Sequence, residues 1–228
     1  MKIIYYLKVF LIGLVTVIFG TLYFILILVD ILSKNSHLYD FLSKIWSKLV
    51  LLISGIKVHI EGLENFNPNS NYVIAGNHLS LMDVPPLLYY FPGKLRYVFK
   101  KELGKIPIFG WVLKVIHIEV DRGNRKKSQR SFSKAKKKLK EGVSVIIFPE
   151  GTRSKTGEIQ KFKKGAFVFS LQNKLDILPY AIYGTKEILP PNTIDIHSGE
   201  VFISFRKPIS IKNYSFEDRN KLLEETRE

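Results

Sequence analysis

Val143-Ser144-Val145-Ile146-Ile147-Phe148, with Pro149-Glu150-Gly151-Thr152-Arg153 directly behind it, reads as an apolar strand that stops in a tight turn. A nearly continuous apolar run of this length suits a strand covered on both faces, whereas a half-exposed strand alternates. A strand ending in a Pro and Gly turn presents its last residues at the sheet edge, where α/β proteins bind ligands. Residues 177–183 (ILPYAIY) have the same character. Working outward, strands are expected at 58–60, 72–75, 96–99, 116–120, 143–148, 178–183 and 201–205. Between them lie helical or mixed segments, among them a lysine-rich helix at 128–141 closed by Gly142. The polar stretch 210–228 is expected to end in a surface helix. This alternation predicts an α/β domain with a mixed, largely buried β-sheet flanked by helices.

The N-terminus has another character. Residues 9–29 contain no charge and are bounded by Lys8 and Asp30. A helix of that length matches the ~30 Å of bilayer hydrocarbon. The run is too long, and lacks the small-residue ending, for a cleaved signal peptide. Residues 41–56 form a second, shorter segment in which Lys44 and Lys48 share one helical face and Trp46 suits the headgroup level, as in an interfacial or re-entrant helix. Asn35 and Ser36 supply the turn. The expectation is a two-helix membrane element at 1–56 and an α/β domain at 57–228, with helix one either crossing the bilayer or dipping into one leaflet. The lysine excess behind the apolar run places the second domain in the cytoplasm.

Absence of cysteine among the 228 residues excludes disulfides, a thiolate nucleophile and zinc–thiolate sites. Five histidines occur without HExxH spacing, so no metal is expected. The formal net charge is +15, and residues 94–138 hold 15 Lys or Arg against 3 acids. Beside an apolar anchor, such a surface suits anionic lipid; without a nucleic-acid motif, nucleic acid is not an expected partner.

Gly76-Asn77-His78-Leu79-Ser80-Leu81-Met82-Asp83 follows the apolar run NYVIA. Five residues along a regular helix would leave His78 and Asp83 misaligned, so they meet only if His78 lies in the loop and a helix starts near Asp83. Asp83 is a good N-cap, and Pro85-Pro86 fit a first turn. Asp83 could then hold one imidazole nitrogen and leave the other to accept a proton, a base and orienter whose nucleophile comes from the substrate. In the 149–153 turn, Arg153 can grip a phosphate by two parallel hydrogen bonds, with Thr152 and nearby N–H groups adding more. The bland alternative is a surface loop with an exposed Glu150–Arg153 ion pair.

Together these groups resemble the signature of the glycerolipid acyltransferase family that includes bacterial 1-acylglycerol-3-phosphate acyltransferases. Its N-H-x4-D motif is matched by Asn77, His78 and Asp83, and its F-P-E-G-T-R-S motif by Phe148 to Ser154. The motif between them is matched by Lys100, Glu102, Leu103, Pro107, Gly110 and Arg122, and a fourth by Ile177-Leu178-Pro179. Leu178 is larger than the usual residue there, which concerns pocket shape. The resemblance implies that His78 is the general base and Asp83 its orienter. It implies that Glu150, Gly151, Thr152 and Arg153 position the substrate phosphate, with Lys100 and Arg122 assisting and Lys101 solvated. Implied too are a lysophosphatidic acid acceptor, an acyl-CoA or acyl-ACP co-substrate and no cofactor. The setting would be the cytoplasmic face of the inner membrane. Other lysophospholipids, glycerol 3-phosphate, or a non-catalytic lipid-binding role are the alternatives.

Overall fold

The computed structural model describes residues 2–29, 36–121, 123, 131–132, 139 and 143–228. Seven strands form one sheet: β1 (Ile56–Glu61), β2 (Tyr72–Gly76), β3 (Lys94–Lys100), β4 (Ile118–Val120), β5 (Val143–Ile147), β6 (Asp176–Tyr183) and β7 (Gly199–Phe205). Their order across the sheet is β1-β7-β6-β2-β5-β3-β4. All neighbours are parallel except β6 and β7, so the sheet is mixed, as expected.

The described helices are α1 (Lys2–Leu28), α2 (Ser36–Ser54), α3 (Val84–Tyr90), α4 (Phe109–Ile116), α5 (Gly165–Asn173), α6 (Thr185–Ile188) and α7 (Arg219–Arg227). Alternate residues of the central strands feed two cores. Ile74 and Ile146 face one core with Leu87 of α3 and Phe91 just beyond its end. Val73, Ala75, Val145 and Ile147 face the other with Phe167 and Phe169 of α5 and Leu222 of α7. This two-sided burial is why these strands are apolar at nearly every position, the buried Ser144 of β5 being the exception.

Four sequence expectations need correction. Ile116 closes α4, because Val112 and Ile116, one turn apart, pack on Tyr23 and Tyr39; β4 begins only at Ile118. The second N-terminal segment ends at Ser54 rather than at residue 56, since Gly55 takes φ +71 and Ile56 already pairs with Gly199. The last helix is not merely superficial, as Leu222 and Leu223 are buried in the core. Lys101 pairs with Asp121 at 3.2 Å. Of the lysine-rich 128–141 helix only residues 131–132 and 139 are described, and Phe132 and Leu139 are buried. That expected helix, like the Asn35 turn, otherwise lies outside the described residues.

Among the described helices, one, Ile3–Leu28, is long and apolar enough to cross a membrane, judged by length and composition alone. α2 packs inward instead. Its Arg96–Asp40 ion pair (2.5 Å) ties it to β3, and the Arg96 guanidinium lies 4.7 Å over the Tyr39 ring. His117 Nδ1 accepts from the Tyr97 N–H, leaving Nε2–H to face the Tyr39 hydroxyl at 3.0 Å. α1 joins this assembly through Trp46 Nε1–H, which donates to Thr16, and through Lys8, which donates to the Ser54 carbonyl and the Ser198 hydroxyl.

Candidate active site

β2 and β5 are adjacent and parallel, with Ala75 opposite Ile147, so their carboxyl ends stop side by side. This brings two segments seventy residues apart into one site. Gly76 is required where β2 ends, because a Cβ there would stand 2.2 Å from the Tyr180 carbonyl oxygen. Asn77 then turns inward and clamps β6, donating to the Ile182 carbonyl and accepting from its N–H, each at 2.8 Å.

His78 lies in the loop, as the spacing required. Its Nδ1 meets Asp83 Oδ2 at 2.6 Å. The same oxygen accepts from Leu79 N–H at 2.8 Å and Ser80 N–H at 3.0 Å, while Oδ1 accepts from the Thr185 hydroxyl at 2.5 Å. Asp83 is fully buried and four donors surround it, an arrangement that suits an ionised carboxylate. An acceptor-only partner fixes the proton on His78 Nδ1, so Nε2 carries the lone pair. The His78 side chain is 16% exposed, enough to be reached from outside.

Asp83 stands at the N-cap position of α3, as expected, but its side chain caps nothing there; Ser80 caps the preceding 3-10 turn, Leu81–Asp83. Ser80 has extended backbone (φ −150, ψ 167) and its hydroxyl accepts from Met82 N–H, whereas Asp83 is already helical. Asp83 folds back onto the Ser80 N–H as the far half of a capping box. Pro85 and Pro86 do occupy the first turn of α3.

The 149–153 turn holds His78 from the other side. Glu150 Oε1 accepts from the His78 N–H at 3.0 Å, and the His78 carbonyl accepts from Ser154 N–H at 2.8 Å. The Phe148 ring stacks on the imidazole with centroids 3.8 Å apart. Glu150 is only 2% exposed, so the surface Glu150–Arg153 ion pair does not form. Nor does its carboxyl face outward toward a phosphate, as the resemblance implied; it serves the loop backbone. Burial raises its pKa above the ordinary carboxylate range, opposed by the His78 N–H and by Gln160.

Of the remaining expected residues, Thr152 is exposed and Arg153 partly so, and among the described residues Arg153 makes no hydrogen bond or ion pair. Gly151 has φ +75, and a Cβ there would meet Lys163 Nζ at 2.8 Å. Lys100, at the end of β3, is exposed and 3.7 Å from Glu102. Arg122 lies outside the described residues. Among the described residues no group of three His, Asp or Glu could hold a metal ion. Sequence reading missed Thr185, which donates to Asp83 Oδ1. Nothing local marks Thr185 beyond the preceding Gly184, whose φ of +91 makes the turn that swings Thr185 under Asp83.

Fold and site therefore define a mixed α/β protein with an oriented histidine at the carboxyl edge of its sheet, beside a loop bearing Arg153. The Acyltransferase family model matches residues 57–183, and the chain belongs to that family. It is 34% identical over 176 residues to the chloroplastic 1-acyl-sn-glycerol-3-phosphate acyltransferase of Arabidopsis thaliana, covering 75% of this chain and 48% of that one. Against the 1-acyl-sn-glycerol-3-phosphate acyltransferase of Borreliella burgdorferi the identity is again 34%, over 77% of this chain and 70% of that one. The chain thus spans about half of the Arabidopsis relative's length and more of the Borreliella one's. The crystal structure of the 1-acyl-sn-glycerophosphate (LPA) acyltransferase PlsC from Thermotoga maritima superposes with a TM-score of 0.73 at 28% identity, covering 97% of this chain and 93% of that one.

Proposed function

We propose that this chain transfers a fatty acyl group from the thioester of acyl-CoA or acyl-ACP to the sn-2 hydroxyl of lysophosphatidic acid, giving phosphatidic acid. The observation that carries this reading is the imidazole held at Nδ1 by Asp83 and clamped through its backbone by Glu150 and Ser154, with Nε2 left to accept a proton. His78 Nε2 takes the proton of the acceptor hydroxyl as that oxygen attacks the thioester carbonyl. The C–S bond then breaks, and the departing sulfur takes the proton from the imidazolium. General-base help of this kind contributes about 10²–10⁴-fold in rate. Asp83 stabilises the charged ring. Arg153, with Thr152 and the Gly151 backbone, receives the phosphate of the acceptor, and Lys100 and Arg122 assist. The names of the Arabidopsis and Borreliella relatives favour this acceptor over larger headgroups or glycerol 3-phosphate.

Residues 1–56 form the membrane element in this reading and 57–228 the catalytic domain, at the cytoplasmic face of the inner membrane. The acceptor is an amphiphile, so a domain held at headgroup level meets it without extracting it. The test is thiol release from acyl-CoA, and from acyl-ACP, by the full chain in detergent. Release that depends on lysophosphatidic acid and disappears in His78→Ala supports the reading; release without acceptor points to a thioesterase. A panel of other lysophospholipids, glycerol 3-phosphate and no donor at all separates the neighbouring activities from plain lipid binding.

A further inference from the structure

Residues 100–115 carry four lysines and one acid and fold into a knuckle between β3 and β4. A 3-10 turn, Lys101–Lys105, reverses into α4. The two arms touch backbone to backbone, since a Cβ on Gly110 would stand 2.5 Å from the Gly104 carbonyl oxygen. Gly110 N–H donates to the Ile106 carbonyl at 2.7 Å, and Ile108 is held at φ +62, a region a β-branched residue enters only under constraint. The knuckle is therefore a built feature. Yet it turns Leu103, Ile106, Ile108, Phe109, Trp111 and Val115 outward, Trp111 being 52% exposed. Contiguous apolar exposure of this kind marks a surface that meets something.

Three observations select the occupant. First, the knuckle abuts α1: the Trp111 and Phe24 rings lie 5.4 Å apart, and Val112 and Ile116 share a buried cluster with Tyr23. Its apolar side chains therefore continue the outward-facing Leu22, Ile25 and Leu28 of the one described helix long enough to cross a membrane. Second, lysines fringe the apolar tip, and a tryptophan sits among them, the combination suited to anionic headgroups above acyl chains. Third, β2, β3 and β5 are parallel, so the knuckle leaves the same end of the sheet as His78 and Arg153.

We propose that the 103–115 knuckle inserts into the headgroup–acyl boundary of an anionic bilayer and thereby turns the His78 edge of the sheet toward the membrane surface. This rests on the membrane reading above and adds a second, independent contact to α1. The chain has no cysteine, so single labels can be placed without background. Full-length Ile108→Cys, Leu14→Cys and, on the opposite face of the sheet, Lys212→Cys would each carry a fluorophore in phosphatidylcholine–phosphatidylglycerol vesicles. Quenching by lipids brominated near the glycerol end is compared with quenching by aqueous iodide. The expected result is lipid quenching at 14 and 108, with 108 about tenfold less accessible to iodide than 212. If 14 is quenched by lipid while 108 stays as open to iodide as 212, the membrane reading stands and the knuckle proposal is overturned. If 14 and 108 are both open to iodide, the membrane reading itself fails, and the proposal with it. Protection of 108 that appears only on adding an acidic carrier protein, or that grows with the protein-to-lipid ratio, assigns the face to a protein and likewise overturns it.

Discussion

Glu150 holds His78 by its main chain: the His78 N–H donates to Glu150 Oε1 at 3.0 Å, from a segment seventy-two residues further along. His78 is thus gripped by Asp83 at its ring and by Glu150 at its peptide, and the second grip is not chemical but positional.

Glu150 predicts a pH signature. Burial raises its pKa, so the folded chain holds that proton more firmly than the unfolded chain does. Stability contributed by the protonated form is therefore lost as pH climbs from the ordinary carboxylate range through the raised value. Glu150→Gln keeps an oxygen for the His78 N–H and removes this dependence. Thermal unfolding followed by circular dichroism should show Glu150→Gln at least as stable as wild type at neutral pH, and flatter across the acidic window. Glu150→Ala orphans the N–H and should lose about 1–3 kcal/mol.

Asp83→Asn separates charge from shape. The amide oxygen can still face His78, Leu79 and Ser80, and the Thr185 hydroxyl can rotate to accept from the amide nitrogen. The variant should fold with a near-normal melting temperature. Without the negative charge the imidazolium is no longer stabilised, and acceptor-dependent thiol release should fall by about 10²–10⁴-fold. A collapsed melt would show that the carboxylate is needed to fold, contrary to this argument.

Thr185 is expected to act through Asp83. Thr185→Val is close in shape but withdraws the donor from a fully buried carboxylate oxygen, and hydrogen bonds to charged groups contribute about 1.5–3 kcal/mol. Turnover should drop and the acidic limb of the pH–rate profile should move, while KM for the acyl donor holds. Thr185→Ser should restore both. Equal rates in Val and Ser would remove Thr185 from the site.

Two substitutions test the frame. In Gly76→Ala the new Cβ meets a backbone carbonyl at 2.2 Å, and the strand end must shift, at about 1–3 kcal/mol or more. Asp40→Ala strips the partner from the buried Arg96, which should destabilise by about 3–5 kcal/mol and loosen α2 from β3. Limited trypsin proteolysis at Lys44 and Lys48 within α2 reads the second effect, and resistance equal to wild type would contradict it.

Local pattern alone carried the central strands, because Ile146 and Val73 are buried on opposite faces of the sheet and both are therefore apolar. It also carried the pairing of His78 with Asp83, since a five-residue spacing permits only a loop followed by a helix start. The long apolar helix was equally legible, from length and the absence of charge. Tertiary structure decided the rest. Glu150 is expected from its motif to help position a phosphate, and only the adjacency of β2 and β5 turns it inward to the His78 main chain. Thr185 reaches Asp83 because β6 lies beside β2 and Gly184 bends the chain back. Whether Trp111 is buried or outward depends on which face of α4 meets Tyr23 and Tyr39. Periodicity and spacing record what one segment needs for itself; which segments then become neighbours is set by the sheet order, and the sheet order is a property of the whole chain.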